Sequence, residues 1–144
     1  MTIDQDSNYQ VDDDSSRIDV DVVWDFLSTE AYWNTWRSRH DVERQWREAW
    51  RVVGVYDGAS GAMVGGARAI SDGVSDAYLG DMFVIPDHRG RGLSKQLLRV
   101  MVEEGPGRDF RWMLVTSDAH GLYAQFGFGP PDERVMIRPP RNRH

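Results

Sequence analysis

An apolar run ends at Pro86, and the residues beyond it form the chain's clearest candidate for chemistry. They read Asp87-His88-Arg89-Gly90-Arg91-Gly92-Leu93-Ser94. A helical stripe of Leu93, Leu97, Leu98 and Met101 follows directly. The spacing predicts a strand, a glycine-containing turn and a helix N-terminus in succession. Glycine lets backbone approach a ligand closely. The first helical turn offers unpaired N–H groups and the positive end of the helix dipole. Together they make an anion site suited to phosphate or pyrophosphate, with Arg89 and Arg91 adding positive charge. A plain strand-to-helix turn with two solvated arginines accounts for the same residues equally well. The chain has no G-x-x-x-x-G-K-[ST] and no G-x-G-x-x-G after a strand. Gly58-Ala59-Ser60-Gly61-Ala62 misses the hydrolase G-x-S-x-G at its last position and sits in a predicted hairpin turn.

The scaffold for this turn is legible from periodicity. Asn8 to Val11 reads as a short strand. Asp19 is placed to cap a helix whose inner face is Val22, Val23, Phe26 and Leu27. A second helix is expected from about His40 or Asp41, with the stripe Val42, Trp46, Ala49 and Trp50. Arg51–Tyr56 and Ala62–Ile70 read as a hairpin about the turn Asp57–Gly61. Tyr78–Ile85 is a strand stopped by Pro86. Trp112–Val115 reads as a buried strand, Ala119–Phe126 as a short helix closed by Gly127, and Val135–Ile137 as a last strand. Residues 1–7 are expected to lack regular structure, residues 8–138 to form one mixed α/β domain, and residues 139–144 to be a tail.

Composition narrows the function classes. The chain has 144 residues, 40% hydrophobic and 28% charged, within the usual size of one domain. The absence of cysteine removes disulfides, thiolate zinc sites and cysteine nucleophiles. The four histidines show no ligand spacing, so no metal is expected. A net charge of -6 disfavours nucleic acid as a partner. No run approaches the roughly 18 apolar residues of a membrane helix, and the N-terminus is unlike a secretory signal. A cytoplasmic location is the expectation. Lys95 is the sole lysine; arginine supplies the other cations.

Arg89-Gly90-Arg91-Gly92-Leu93-Ser94 resembles the R/Q-x-x-G-x-G/A signature of the GNAT superfamily of acetyl-CoA-dependent N-acyltransferases. Ser94, still small, stands where that signature has Gly or Ala. Ala119-His120-Gly121-Leu122-Tyr123-Ala124-Gln125-Phe126-Gly127-Phe128 is similar to the family's A-x-x-[FL]-Y-x-x-x-G-F segment. The two occur in the family's order, and the elements fit from Asn8 to Ile137. The resemblance implies a mostly antiparallel central sheet flanked by helices, with one strand pair splayed at the cofactor. It assigns the coenzyme A pyrophosphate to the backbone N–H groups of Arg89, Gly90, Arg91, Gly92, Leu93 and Ser94. It places the pantetheine arm along the backbone of Met82, Phe83 and Val84.

The reaction the resemblance implies is direct attack of a primary amine on the acetyl thioester through a tetrahedral intermediate. A strand N–H near Phe83 or Val84 would stabilise the oxyanion. Tyr123 matches the family's tyrosine, the acid that protonates or positions the leaving sulfur; a packing tyrosine is the alternative. Asp81 alternates with Leu79 and Phe83 and is the first-ranked base, as against a buried, hydrogen-bonded carboxylate. Glu30 and His120 follow in that order, His120 also being expected at the substrate-binding side, and ordered water is a further route for the proton. Glu30, Tyr32, Trp33 and Trp36 lie where the family builds its acceptor site, and the aromatics suit a cation or a flat substrate; packing against the sheet is the other reading. The acceptor is a small-molecule amine or a protein amino group, and a homodimer is compatible. Longer acyl donors remain open. The alternatives are a non-catalytic acyl-CoA binding or sensing domain, and a hydrolase or generic phosphate-binding α/β protein.

Overall fold

A computed structural model of the chain describes residues 2–4, 8–34 and 36–141, the first three as backbone only. Asp19 is extended, and its carboxylate accepts from the Asp21 N–H, capping helix α1, Val20–Thr29. Val23, Phe26 and Leu27 form the buried face of α1. Ser38 caps α2, Arg39–Arg47, by accepting from the Asp41 N–H, so the helix starts slightly before the expected His40. Val42 and Trp46 are its buried stripe; Ala49 and Trp50 lie beyond its end.

The strands are β1 (Thr2–Asp4), β2 (Tyr9–Asp12), β3 (Arg51–Asp57), β4 (Met63–Ser71), β5 (Asp76–Val84) and β6 (Arg111–Met113). They form one sheet in chain order, antiparallel except for the β5–β6 pair. The β3–β4 turn is held by Asp57 and Ser60 accepting from the N–H groups of Ala59 and Ala62, so Ser60 is a turn residue. Helix α3, Leu93–Leu98, widens into a π-helical turn over Arg99–Glu103, and α4 is His120–Ala124. No helix among the described residues is long and apolar enough to cross a membrane.

Period-two alternation divides the core between the two faces of the sheet. Val53, Val55, Ala67, Ala69 and Leu79 point toward α3, onto Leu97, Leu98 and Met101. Val52, Tyr56 and Phe83 point toward α1 and α2, onto Val23, Phe26, Leu27 and Trp46. The buried Val, Leu, Phe and Met side chains among these each contribute roughly 1.5–3 kcal/mol by burial.

Three expectations are corrected. Thr2–Asp4, within the stretch expected to be unstructured, pairs antiparallel with Tyr9–Val11; residues 1 and 5–7 lie outside the described residues. The strand at Trp112–Val115 is an edge rather than a buried strand: it spans Arg111–Met113, and Val115 is 76% exposed. Its pairing with β5 ends at Met113, and among the described residues no strand pairs with its other edge. Val135–Ile137 forms no strand. Asp132 accepts from the N–H and the guanidinium of Arg134, which holds a turn there. Prolines on both sides, Pro130-Pro131 and Pro139-Pro140, bar extension of a ladder beyond this short segment. Residues 142–144 of the expected tail lie outside the described residues.

Candidate active site

β5 pairs with β6 only at Asp76–Tyr78 against Arg111–Met113. Beyond that point β5 continues to Val84 alongside β4 alone, while the chain after Met113 diverges toward α4. The two strands splay, and a cleft of about 1100 Å³ opens between them. Leu79 to Val84 line one side; Leu114 to Ala119, Leu122 and Tyr123 line the other. Among the described residues no strand covers this edge of β5, so its outward N–H and C=O groups are available to an extended ligand. Met82, Phe83 and Val84 lie on that edge.

The cleft runs into the glycine turn. A tight turn over Pro86–His88 follows β5. It is tied back to the sheet by the 2.6 Å hydrogen bond between the Tyr9 hydroxyl and His88 Nδ1. Arg89 Nε donates to the Val84 carbonyl at 2.9 Å. Gly90 and Gly92 have φ of +79° and +74°, in the region that favours glycine. A Cβ built on either meets no atom within 4 Å, so the space above the turn is open. Among the described residues no side chain caps α3 at Gly92, which leaves its first N–H groups to a ligand. A second hollow of about 260 Å³ lies over this point, lined by Val84, His88, Arg89, Gly90, Gly92, Leu93, Ser94 and Lys95. Leu93 is 2% exposed, so only its backbone faces a ligand. Arg91 is exposed, with its guanidinium 5.9 Å from the Tyr9 ring centroid. Backbone donors, open space and positive charge fit a pyrophosphate.

At the other end a bulge changes the direction of β5. Gly66 pairs with Phe83 and Arg68 with Gly80, so Asp81 and Met82 stand opposite Ala67 alone. Asp81 takes up the extra residue at φ +52°, a region where Asp is tolerated better than most residues. The bulge breaks the expected alternation. Leu79 packs on the α3 face and Phe83 on the α1/α2 face, so the two do not share a side. Asp81 joins the α1/α2 side.

There Asp81 is fully occupied. Oδ1 accepts from Arg37 Nη2 at 2.8 Å and Trp33 Nε1 at 2.9 Å. Oδ2 accepts from Arg37 Nη1 and Arg68 Nε, both at 2.7 Å. Burial pushes this carboxyl up, but the Arg37 hydrogen bond and the charges of Arg68 and Arg37 outweigh it and hold it at about 2. A carboxylate so acidic, with four donors on it, is a poor proton acceptor at neutral pH.

Tyr123 projects from α4 into the cleft, its hydroxyl 3.7 Å from Met82 Sδ. Burial, reinforced by Tyr32 and Asp118, pushes the phenol up to about 12. It is therefore protonated at neutral pH and poised as a donor beside β5.

The remaining candidates separate. Glu30, at the C-terminus of α1, is exposed and lines the cleft. Tyr32, Trp33 and Trp36 line it as well. Tyr32 accepts from the Ser117 N–H at 3.3 Å, which links the α1–α2 segment to the far side of the cleft. His120 is exposed and is not among the cleft-lining residues. Arg37 and Arg68 went unnoticed in the sequence. The available signal was Arg68, a lone charge within the otherwise small and apolar Met63–Ile70. Among the described residues no group of three or more His, Cys, Asp or Glu is arranged to hold a metal.

A strand pair splayed beside a glycine turn and a helix N-terminus defines a class of mixed α/β fold with one open sheet edge. A family model described as the acetyltransferase (GNAT) family matches residues 20–128, and the chain belongs to that family. A solved protein of Xanthomonas campestris pv. campestris assigned to the same family is 39% identical, with a TM-score of 0.80 over 90% of this chain and 92% of that one. A Clostridium acetobutylicum acetyltransferase candidate solved with acetyl-CoA shares the fold, with a TM-score of 0.66 and 19% identity over 91% of this chain and 95% of that one. A Gibberella zeae protein assigned as an acetyltransferase is 29% identical over 116 residues, 74% of this chain; the match spans 59% of that protein.

Proposed function

We propose that the chain is an N-acetyltransferase that moves an acetyl group from acetyl-CoA to a primary amine. The observation that carries this reading is the continuity of the cleft. It joins an anion-binding turn at Arg89–Ser94, an unpaired strand edge at Met82–Val84 and a polar, aromatic chamber around Asp81. Those parts correspond in order to a pyrophosphate, an amide-bearing arm and an acceptor.

In this reading the N–H groups of Gly90 to Ser94 hold the pyrophosphate of the donor. The free edge of β5 pairs with the pantetheine amides and directs the thioester carbonyl at a strand N–H near Phe83 or Val84, which stabilises the developing oxyanion. The amine nitrogen forms the new C–N bond, and the C–S bond breaks to release the thiolate. Tyr123 donates a hydrogen bond to the departing sulfur. Complete transfer from a phenol at about 12 to a thiolate of pKa about 8.5 is uphill by roughly 5 kcal/mol, so Tyr123 stabilises and positions the sulfur rather than surrendering its proton. Asp81 is a positioning residue that orders Arg37, Arg68 and Trp33. The amine's proton leaves to solvent at the exposed mouth beside Glu30.

The test is calorimetric titration with acetyl-CoA, with ATP as comparison, followed by thiol release in the presence of amines. Selective acetyl-CoA binding with amine-dependent thiol release is the expected result. Binding without turnover of any amine would move the reading to an acyl-CoA sensing domain. Equal binding of ATP would reduce the turn to a generic phosphate site.

A further inference from the structure

The chamber wall carries more positive charge than the protein neutralises. The side chains of Arg37 and Arg68 are 3% and 9% exposed, and Asp81 is the only carboxylate paired with either among the described residues. Arg37 Nη1 and Nη2 are committed to Asp81, and Nη1 also to Gln45 Oε1 at 2.7 Å. Among the described residues Arg68 donates through Nε alone. Among the described residues neither of its Nη groups has an acceptor. Gly80, lining the cleft, lies against that guanidinium: a Cβ there would come within 3.3 Å of Arg68 Nη2. Glycine at this position leaves the Nη side of Arg68 open beside the cleft. Two cations against one anion leave one positive charge over, and the Nη edge of Arg68 that carries it faces the cleft rather than a protein partner.

We infer that the acceptor is an amino carboxylate, a primary amine whose own carboxylate forks onto Nη1 and Nη2 of Arg68. This rests on the acetyltransferase reading of the cleft. A planar guanidinium edge matches a carboxylate bidentately. A monoanion cancels the single surplus charge, whereas a phosphate dianion would overshoot it. Tyr32 and Trp33, with Glu30 at the mouth, supply aromatic faces and negative charge for the amine end. Asp81 stays in place, because its four donors leave no vacancy for the ligand to displace it.

The test is steady-state thiol release from acetyl-CoA with the common α-amino acids, β-alanine and γ-aminobutyrate. Each is assayed beside its decarboxylated amine, with phosphoethanolamine as the phosphate arm. At least one amino carboxylate is expected to exceed its decarboxylated partner in kcat/KM by roughly 10- to 100-fold, the gain lying in KM. Arg68→Gln should bring that ratio to within about threefold of unity, and Arg68→Lys should restore only part of it, since an ammonium offers no fork. Melting temperature and acetyl-CoA affinity report whether either variant is folded, and the preference of the unaltered protein is a test independent of both. A ratio unchanged in Arg68→Gln, a preference for decarboxylated or phosphorylated amines, or no turnover of any amino carboxylate would each overturn the inference. If acetyl-CoA still binds in those cases, the donor half of the functional reading survives. If acetyl-CoA fails to bind, both fall together.

Discussion

Asp81→Asn separates a charge-locking role from a base role. Asparagine preserves the shape and is at home at φ +52°, so the backbone is not what the substitution tests. What it removes is the one carboxylate shared by two buried guanidiniums. Breaking a buried ion pair from one side costs about 3–5 kcal/mol, which for a chain of this size lowers Tm by roughly 10–15 °C. The pH dependence has a definite sign. The folded carboxyl is depressed from 3.8 to about 2, so its stabilisation is complete above the unfolded value and is lost as pH falls through about 2. That linkage amounts to roughly 2 kcal/mol between about pH 4 and pH 2. The variant should be less stable at neutral pH and should lack this acid-side loss. Urea unfolding followed by tryptophan fluorescence at several pH values measures both. In the same variant the alkaline-rising part of the rate–pH profile should keep its midpoint, because a carboxyl near 2 does not titrate there. A variant within about 1 kcal/mol of the unaltered protein would refute the ion-pair account, and a flattened alkaline rise would return Asp81 to the role of base.

Three further outcomes are expected. Gly92→Glu should abolish acetyl-CoA binding in calorimetry, since it places bulk and negative charge in the open space above a turn at φ +74°; retained affinity would remove the turn from the site. Tyr123→Phe should lower kcat by roughly 10- to 100-fold with little change in acetyl-CoA affinity, the signature of a lost hydrogen bond to the leaving sulfur; an unaltered kcat would make it a packing residue. Tyr9→Phe should cost roughly 0.5–1.5 kcal/mol in chemical unfolding and weaken acetyl-CoA binding, because the 2.6 Å bond to His88 ties the turn to the sheet; unchanged affinity would show that the turn holds its shape without it.

Legibility differed sharply between the two ends of the cleft. The glycine-turn end is contiguous in sequence: Pro86 stops the strand, Gly90 and Gly92 take positive φ, and Leu93 starts the helix. Each of these residues acts through its own backbone, so local pattern suffices. The end around Asp81 is assembled from Trp33 and Arg37 before α2, Arg68 on β4 and Asp81 on β5. Their separations along the chain are long, and their side chains, not their backbones, make the site. Asp81 stood out by residue type, but its partners did not, and without them its chemistry reads oppositely. The last strand failed for a different reason: Val135–Ile137 has the composition of a strand but is hemmed in by proline pairs and, among the described residues, has no neighbouring strand to pair with.

Periodicity, caps and two short motifs therefore determined most helices and strands and the glycine turn after Pro86, because those depend on residues within a few positions of one another. The tertiary structure alone decided which way Asp81 points. An unbroken alternation would put it beside Leu79; one extra residue in β5, set by register against β4, rotates it to the opposite face and between two arginines. Register is a property of paired strands rather than of either strand, and a one-residue slip exchanges the faces of everything that follows.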